Sequence, residues 1–318
     1  MRTATLTAVV DEIRGEAADT ISIGLRPVDG DVFPSFDAGA HIDVHLPNGI
    51  VRSYSLVNPP HTCERYVLGV LRSRDSRGGS AYIHDHLREG DRLAVSAPRN
   101  NFPLDETGGR FLLVAGGIGV TAIYCMAQRL VSLGKDVEML YCSRTRGHAA
   151  WLGAIQTLGI PLTLHFDSEQ GGPPDIDAFI ACHGLDTRYY CCGPSPMLIA
   201  FEQACERYGY SHAHVERFAA DPSLVDHDDS ASYDVHLANS GKLIRIEPGT
   251  RLLDALLAAG VEVPFSCREG ICGSCEMTVL EGAIDHRDSV LTDAERAEGK
   301  SMMVCVSGCR GGRLVLDC

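Results

Sequence analysis

Three cysteines stand close together near the C-terminus, and a fourth follows them at a distance. Cys267, Cys272 and Cys275 have the spacing C-x4-C-x2-C in CREGICGSC, and Cys305 lies downstream in MMVCVS. This is the spacing of plant-type [2Fe-2S] ligands. The alternative is a structural zinc site, whose cysteines normally come as two short pairs, and only one such pair is present in this sequence. The spacing therefore predicts a [2Fe-2S] cluster held by these four thiolates.

The residues around these cysteines support the same interpretation. Gly270 and Gly273 lack a Cβ, so backbone amides next to them are free to approach the sulfurs. Cys309 is the nearest rival to Cys305, but it stands between Gly308 and RGG, where a turn is predicted. Cysteine often packs as a small hydrophobic residue, and we predict that role for the others. These are Cys63, Cys125, Cys142, Cys182, Cys191, Cys205 and Cys318.

A glycine-rich turn in the middle of the chain is a candidate nucleotide site. An apolar strand, Phe111–Ala115, leads through GGIG into an amphipathic helix, and Gly117, Gly119 and Ala122 satisfy G-x-G-x-x-A. Such a turn lets a phosphate approach backbone amides at a helix N-terminus. Glycines at a strand-to-helix turn also serve close packing alone, so the motif by itself leaves both interpretations open.

The segments after this turn favour nucleotide binding. Further short apolar strands are predicted at Asp136–Cys142, Pro161–Phe166 and Tyr189–Cys192, and Pro196–Tyr208 is predicted to be helical. This alternation predicts a parallel sheet, which binds ligands at the carboxyl ends of its strands.

Charged and sulfur-containing residues follow those predicted strand ends. Arg144 and Arg146 come after one strand and Asp167 after the next, and either charge type suits an adenosine ribose. Ordinary solvated loop charges are the alternative. Cys192 opens CGP and is a candidate neighbour of a nicotinamide ring, although packing would also explain a cysteine at that place.

The first third of the chain has the pattern of an antiparallel barrel, with short alternating strands separated by PNG, NPP and REG turns. A phosphate site is predicted where Gly79 and Ser80 precede a helix over 81–87, with Arg52 adding charge-assisted bonds. Tyr54 offers an aromatic face to a flavin. Taken alone, these features also fit a strand with an exposed arginine and an ordinary helix cap.

After residue 232 the pattern resembles a β-grasp ferredoxin. Strands are predicted at Tyr233–Leu237 and Leu243–Ile246, followed by a helix with Thr250 as N-cap and Gly260 as its stop. The cluster loop and further strands come next. A third, C-terminal domain is therefore expected.

The length, net charge and composition of the chain disfavour several classes of protein. A length of 318 residues predicts two or three domains. A formal net charge of −14 disfavours nucleic-acid binding, which needs clustered Lys and Arg. No stretch has the ~18 apolar residues that a membrane span requires. The N-terminal residues do not resemble a signal peptide, so a cytoplasmic location without membrane contact is expected.

The order of the motifs resembles that of the phthalate dioxygenase reductase-like proteins, which include vanillate O-demethylase reductases. These motifs are, from the N-terminus, RSYSL, LRSRDSRGGS, LVAGGIGVTA, YCCGP, HVERF, CREGICGSC and MMVCVS. The likeness covers essentially the whole chain. It implies an FMN-binding Greek-key barrel over 1–103, an α/β NAD-binding domain over 104–226 and a plant-type ferredoxin domain over 233–318. Asn101–Thr107 and Ala219–Ser232 are the expected hinges between them.

The resemblance also implies roles for individual residues. FMN would be bound by Arg52, Tyr54, Ser55, Arg72, Gly79 and Ser80. Pyridine nucleotide would be bound by Gly117, Gly119, Thr121, Arg144 and Cys192, with Phe218 close to the flavin ring. Asp167, a candidate because of its place after a predicted strand, completes the predicted cofactor-binding set. The residues expected nearest the reacting rings are Ser55, Cys192, Glu216 and Phe218.

The implied activity is electron transfer from NADH through FMN and the [2Fe-2S] cluster to a separate Rieske-type oxygenase acting on aromatic acids. Arg144 and Arg146 would also suit a 2′-phosphate, so NADPH stays an alternative donor. Two other functions remain open. One is an FAD-containing reductase of a diiron monooxygenase, which usually places its ferredoxin first. The other is an electron carrier or redox sensor without NADH activity.

Overall fold

The structure is a computed structural model, and it describes residues 5–28, 32–74, 76–219 and 231–318. These residues form two compact units, one ending at Phe218 and the other beginning at Ala219. Of the predicted hinge Ala219–Ser232, residues 220–230 lie outside the described part of the chain. Across the described residues, no helix combines the length and apolar character needed to cross a membrane.

A six-stranded antiparallel sheet opens the larger unit. Its strands run in the order β4-β3-β6-β1-β2-β5. A bridge between Leu56 and Leu68 joins the two end strands and closes the sheet into a barrel. The strands are β1 (Thr5–Ala17), β2 (Thr20–Pro27), β3 (His41–His45), β4 (Val51–Ser55), β5 (Tyr66–Leu71) and β6 (Arg92–Ser96), with helix α1 (Gly79–His86) between β5 and β6.

A five-stranded parallel sheet forms the rest of this unit, in the order β11-β10-β7-β8-β9. Its strands are β7 (Arg110–Gly116), β8 (Asp136–Ser143), β9 (Leu162–Phe166), β10 (Thr187–Cys192) and β11 (Ala213–Glu216). Its helices are α2 (Val120–Ser132), α3 (Leu152–Gln156), α4 (Asp167–Gln170), α5 (Ile176–Ile180) and α6 (Ser195–Tyr208).

The central strand β7 shows why this sheet forms. Its residues are apolar without interruption after Arg110, as expected for a strand covered on both faces. Phe111 and Leu113 point into the core shared with α2 and the barrel, whereas Leu112 and Val114 point into the core shared with α5 and α6. All four are fully buried. The carboxyl ends of β7, β8, β9 and β10 therefore meet at one edge, where the predicted nucleotide residues lie.

The smaller unit contains a mixed five-stranded sheet in the order β13-β12-β18-β14-β16 and a two-stranded ribbon of β15 and β17. Its strands are β12 (Tyr233–Leu237), β13 (Leu243–Ile246), β14 (Glu276–Glu281), β15 (Ile284–Asp285), β16 (Ser301–Met303), β17 (Gly308–Cys309) and β18 (Arg313–Leu316). Its helices are α7 (Leu252–Ala258) and α8 (Asp293–Glu298). The predicted fold class, an antiparallel barrel, a parallel α/β sheet and a C-terminal ferredoxin-type unit, is confirmed.

Three local predictions were wrong. Helix α7 has Arg251 rather than Thr250 as its N-cap, so the helix starts one residue later than the threonine indicated. Cys309 lies in strand β17, paired with β15, and not in a turn. Helix α1 begins at Gly79 because Gly78, at φ +90°, supplies the left-handed residue before it, so Ser80 lies inside the first turn.

Candidate functional site

The N-terminus of α1 forms a cradle with Arg52. A Cβ placed on Gly79 would lie 2.8 Å from Cγ of Arg52, so the arginine lies directly against the first turn of the helix and only glycine leaves it room. Arg52 also donates hydrogen bonds to the carbonyls of Val51 (2.8 Å) and Arg77 (3.4 Å). A guanidinium beside the first turn of a helix is suited to a phosphate group.

Two serines shape this cradle. The Ser76 hydroxyl accepts hydrogen bonds from the amides of Gly78 and Ala81, both at 3.2 Å, and lies 3.1 Å from the Ser80 hydroxyl. Ser80 in turn accepts a bond from the Ser73 amide at 3.2 Å. Ser76 was not among the residues predicted from the sequence. Its position two residues before the glycine pair, typical of a serine that folds a turn, was the available signal.

Strand β4 presents its residues alternately to two faces. Its register with β3 pairs Val44 with Arg52 and Ile42 with Tyr54, so Arg52 and Tyr54 share one face of the strand. Burial raises the pKa of Tyr54 to about 12, so its phenol is neutral at physiological pH. Ser55 is buried at the end of the strand.

A buried ion pair fixes the other face of β4. Ser53 donates a 2.7 Å hydrogen bond to Asp43, and Arg99 donates one of 2.8 Å to the second oxygen of the same carboxylate. Burial opposes the ionisation of Asp43, but the Arg99 charge and the two hydrogen bonds outweigh it and lower its pKa. Asp43 and Arg99 stand far apart in the sequence, so the sequence gave no sign of this support for β4.

The three glycines of the GGIG turn have different surroundings. Gly117 has φ +53° and open space where a Cβ would be. A Cβ on Gly119 would lie 2.2 Å from the carbonyl oxygen of Cys192, and one on Gly116 would lie 2.7 Å from Pro194 and from Met197. Gly116 and Gly119 therefore serve close packing against the CGP turn, and Gly117 alone faces open space.

Thr121 packs the parallel sheet against the barrel. It is buried, its hydroxyl donates to the Ile118 carbonyl at 2.9 Å, and its methyl group would lie 2.4 Å from a Cβ on Gly69 of β5. Trp151 lies equally close, 2.5 Å from the same point, and has an unusual left-handed φ of +53°. The nucleotide contact of Thr121 stays a prediction, and the contacts that the structure shows for this residue lie inside the protein.

A cavity of about 260 Å³ lies between the barrel and the carboxyl edge of the parallel sheet. Barrel residues form one part of its lining and α/β residues the other, so a ligand bound there would touch both. Its lining is cationic because arginines from both parts outnumber its one carboxylate, Asp19. It is lined by Ala18, Asp19, Thr20, Leu71, Arg72, Ser73, Arg74, Gly117, Ile118, Ser143, Arg144, His148 and Ala150.

The arginines near this cavity differ in their partners. Arg72 is held by Asp85 through two hydrogen bonds of 2.6 and 3.0 Å. Arg146 does not line the cavity; it pairs with Glu169 at 3.4 Å and stacks over Phe166 at 4.5 Å. Arg74, which was not predicted from the sequence, lines the cavity together with Arg144. The structure therefore gives Arg144 and Arg146, which the sequence could not distinguish, different surroundings: Arg144 lines the cavity, and Arg146 does not.

Asp167 begins α4 immediately after β9, at the same edge of the sheet. Its carboxylate lies 3.5 Å from Nε2 of His165, and it is not part of the cavity lining. The structure brings Gly117, Arg144 and Arg72 together and leaves Asp167 outside that group.

Cys192 and Glu216 lie side by side at the ends of β10 and β11, where they are direct partners in the parallel register. Glu216 is half-buried, but its Oε2 is buried and has no hydrogen-bond partner among the described residues, and burial of the carboxyl raises its pKa to about 8. Burial, and secondly the nearby Glu216, raise the pKa of the Cys192 thiol well above its ordinary value. Both groups are therefore uncharged at neutral pH. Phe218, two residues on, is exposed over 36% of its surface.

In the smaller unit the four predicted ligands are all buried, with Cys267 the most exposed at 6%. Their thiols interact in a chain, Cys272 with Cys267, Cys267 with Cys305, and Cys305 with Cys275. The described residues contain no group of three or more His, Cys, Asp or Glu side chains whose arrangement could hold a single metal ion. A chain of contacts suits a two-iron cluster, which binds two thiolates at each iron, better than a single zinc ion.

Backbone amides of the cluster loop point at these sulfurs. Amides of Glu269 and Ile271 interact with the Cys267 thiol, with the Glu269 nitrogen at 3.3 Å, and the Gly270 backbone interacts with Cys305. Gly270 has φ +68°, and a Cβ there would lie 3.0 Å from Cα of Asp288. The loop can therefore direct its amides at sulfur only with glycine at this place, and this donor set fits a thiolate-bound cluster.

The remaining cysteines take no part in this group and form no disulfide among the described residues. Cys125, Cys142 and Cys205 are buried, and burial raises each thiol pKa to about 12. Protonated, buried thiols of this kind are unreactive packing residues.

Comparison with known proteins shows which proteins this chain is similar to. Residues 235–310 match the model of the 2Fe-2S iron-sulfur cluster binding domain. The chain is 45% identical over 301 residues to phenoxybenzoate dioxygenase subunit beta of Ectopseudomonas oleovorans, covering 95% of this chain and 93% of that protein. It is 38% identical to vanillate O-demethylase oxidoreductase of Pseudomonas sp. (strain HR199 / DSM 7063), covering 97% and 98%.

Among solved structures, phthalate dioxygenase reductase, described as a modular structure for electron transfer from pyridine nucleotides to [2Fe-2S], superposes with a TM-score of 0.74 at 34% identity. The match covers 99% of this chain and 98% of that one. This chain belongs to the phthalate dioxygenase reductase-like family. Membership confirms the predicted class, an iron–sulfur flavoprotein oxidoreductase, and supports a flavin, a pyridine nucleotide and a [2Fe-2S] cluster as its cofactors.

Proposed function

We propose that this protein is the NADH-dependent reductase component of a Rieske-type aromatic oxygenase or O-demethylase. Hydride would pass from NADH to FMN, and single electrons would then pass through the [2Fe-2S] cluster to a separate terminal oxygenase. The relatives named above are parts of oxygenase systems or their reductases, which supports an oxygenase as the partner.

The observation that carries this proposal is the cationic cavity shared by barrel and parallel sheet. It joins Arg72 and Arg74, near the phosphate cradle of α1, to Gly117 and Arg144 at the edge of the sheet. A dinucleotide bound there would lie across both parts, with its negative phosphates beside arginines. Proximity of two bound rings is what hydride transfer requires of the protein.

FMN, and not FAD, is proposed because the phosphate cradle supplies groups for one terminal phosphate. Arg52, the amides at the start of α1 and the Ser80 hydroxyl would hold that phosphate, and Tyr54 would lie against the flavin ring. Ser55, at the buried end of β4, would lie near the reacting part of the ring.

The residues around the predicted nicotinamide site would act by position and not by covalent chemistry. Cys192 stays protonated, so it is a poor nucleophile. Glu216 holds its proton at neutral pH, so the ends of β10 and β11 carry no negative charge toward a hydride donor. Phe218 is partly exposed and available to cover the flavin ring.

NADH is proposed over NADPH on the pairing of the arginines. Arg146 is already held by Glu169 and Phe166 and is thus poorly placed to hold a 2′-phosphate. Carboxylates of Asp167 and Glu169 at the end of β9 would repel such a phosphate, whereas ribose hydroxyls can donate to them.

Cofactor analysis of the anaerobically purified protein tests the proposal. The flavin is released and identified, iron and sulfide are counted, and the visible spectrum is followed as NADH is added. FMN with two irons per chain, and bleaching of both chromophores, is the expected result. FAD would favour the reductase of a diiron monooxygenase, and a cluster that NADH does not reduce would favour a carrier without NADH activity.

The oxygenase type is tested separately. Purified Rieske-type and diiron terminal oxygenases are each mixed with the protein and NADH, and reduction of the oxygenase is followed by its own spectrum. Faster reduction of the Rieske protein supports the proposal, and faster reduction of the diiron protein contradicts it.

A further inference from the structure

A small cavity of about 30 Å³ lies in the smaller unit beside the cluster ligand Cys305. A volume of this size holds about one water molecule. Polar and charged groups contribute most of its lining, and these include two arginines. It is lined by Ala231, Tyr233, Ile246, Glu247, Gly249, Thr250, Arg251, Leu252, Arg287, Cys305, Val306, Ser307 and Gly308.

Arg287 is fixed in this lining by the chain on either side of it. Its guanidinium donates to Asp285 Oδ2 from Nε at 2.8 Å and lies 2.7 Å from the same oxygen through a second nitrogen. Its backbone amide donates to the Ser307 hydroxyl at 3.2 Å. Asp285 is the strand partner of Gly308 in the β15–β17 ribbon. The charged pair is thus attached to the segment that directly follows Cys305.

Both charges of the pair are shielded from water. The Arg287 side chain is 13% exposed and that of Asp285 is 12% exposed. Charges in such surroundings act on neighbouring groups more strongly than exposed ones, because water screens them less. Arg310 also contacts Asp285, at 3.2 Å, but its side chain is 67% exposed, and Arg310 does not line the cavity.

Reduction of a [2Fe-2S] cluster adds one electron and thus one negative charge. A nearby guanidinium stabilises that added charge, and a nearby carboxylate destabilises it. Arginine stays protonated throughout the physiological range, so its effect involves no proton exchange. Arg287 and Asp285 should therefore shift the equilibrium between oxidised and reduced cluster in opposite directions.

We infer that Arg287 and Asp285 set the reduction potential of the [2Fe-2S] cluster from the side of Cys305. The arginine raises the potential and the carboxylate lowers it. This inference rests on the proposed function only in requiring that the four cysteines hold a [2Fe-2S] cluster. The effect of Arg287 and Asp285 is on how readily the cluster accepts an electron.

The test is a redox titration of the full-length holoprotein with dithionite, followed by the electron paramagnetic resonance signal of the reduced cluster. Arg287→Gln should lower the ratio of reduced to oxidised cluster at a fixed potential at least threefold. A tenfold change corresponds to about 59 mV for a one-electron couple, so the shift would be about 28 mV or more to the negative side. Asp285→Asn should change the ratio in the opposite direction.

Two control variants separate charge from structure. Arg287→Lys keeps the positive charge and should restore most of the wild-type potential. Arg310→Gln removes the exposed guanidinium from the same carboxylate and should change the ratio less than Arg287→Gln does. Iron content and the visible spectrum of the oxidised protein should be unchanged in every variant.

Equal potentials in wild type, Arg287→Gln and Asp285→Asn, with two irons per chain in each, would overturn the inference and leave the proposed function intact. Shifts of the same sign in both variants would also overturn it, since they would indicate a general disturbance of the loop. Wild-type protein without cluster iron would instead contradict the proposed function itself.

Discussion

The carbonyl oxygen of Cys192 occupies the place where any side chain on Gly119 would have to begin, at 2.2 Å from an ideal Cβ. The turn after β7 and the turn after β10 therefore touch backbone to backbone. Gly117, two residues earlier, faces open space with φ +53°. One motif thus contains a packing glycine and a glycine that borders the cationic cavity.

Alanine substitutions should distinguish these two glycines. Gly119→Ala forces backbone apart and should lower the free energy of unfolding by at least about 2 kcal/mol. Gly117→Ala has room for its methyl group but must keep a left-handed φ, so its cost should be about 1 kcal/mol. Its larger effect should be a several-fold rise in the KM for NADH. Urea unfolding and steady-state kinetics measure both effects, and equal destabilisation by the two variants would contradict this distinction.

Arg144 and Arg146 should differ in their effect on NADH binding. Arg144→Gln removes a charge that lines the cavity and should raise the KM for NADH about tenfold, since a charge-assisted hydrogen bond contributes about 1.5–3 kcal/mol. Arg146→Gln breaks a half-exposed pair with Glu169 and should change KM less than twofold. Initial rates over a range of NADH concentrations give both values. A larger effect of Arg146→Gln than of Arg144→Gln would indicate that the adenosine end of the nucleotide binds near α4.

Glu216 should make the stability of the larger unit depend on pH. Its pKa is raised to about 8 in the folded protein, so the folded state keeps a proton that the unfolded chain has already lost. This contribution is fully present below about pH 4.5, the ordinary value for glutamate, and is lost as pH rises through about 8. Glu216→Gln cannot lose that proton, so its stability should fall less over this range.

The measurement is the urea midpoint of the full chain between pH 5 and pH 9, followed by circular dichroism. Glu206→Gln, an exposed glutamate on α6, is the matched control and should keep the wild-type pH dependence. Parallel curves for wild type and Glu216→Gln would show that Glu216 is already ionised in the folded protein.

Whether Cys305 or Cys309 is the fourth ligand of the cluster can be tested directly. Cys305→Ala removes a buried thiol from the contact chain and should abolish the visible absorbance of the cluster and most of the bound iron. Cys309→Ala changes a half-buried residue of strand β17 and should leave two irons per chain. Iron and sulfide analysis of both purified variants decides it, and the reverse pattern would assign the fourth ligand to Cys309.

The local signals in the sequence predicted most of the architecture. Strand β7 contains the predicted apolar run Phe111–Ala115, and the strands Tyr233–Leu237 and Leu243–Ile246 have the predicted bounds. Cysteine spacing was equally informative, because three ligands lie on one short loop. Boundaries were less certain where two residues compete for one role, as Thr250 and Arg251 do at the start of α7.

Contacts between distant parts of the chain could not be predicted in this way. The sequence does not show that Arg99 pairs with Asp43, that Arg287 lines the cavity of Cys305, or that Arg74 joins Arg144. Each depends on which strands become neighbours after folding. Arg144 and Arg146 were indistinguishable for the same reason, since their difference arises from Glu169 and Phe166.

Trp151, packed against Gly69 where the barrel meets the parallel sheet, is the sole tryptophan of the chain. Its fluorescence is therefore an intrinsic optical signal from that junction, with no background from other indoles. Flavins absorb in the range in which tryptophan emits, so emission should be low in the flavin-loaded protein and should rise when the flavin dissociates. The protein thus contains its own reporter of flavin occupancy, readable without any added label.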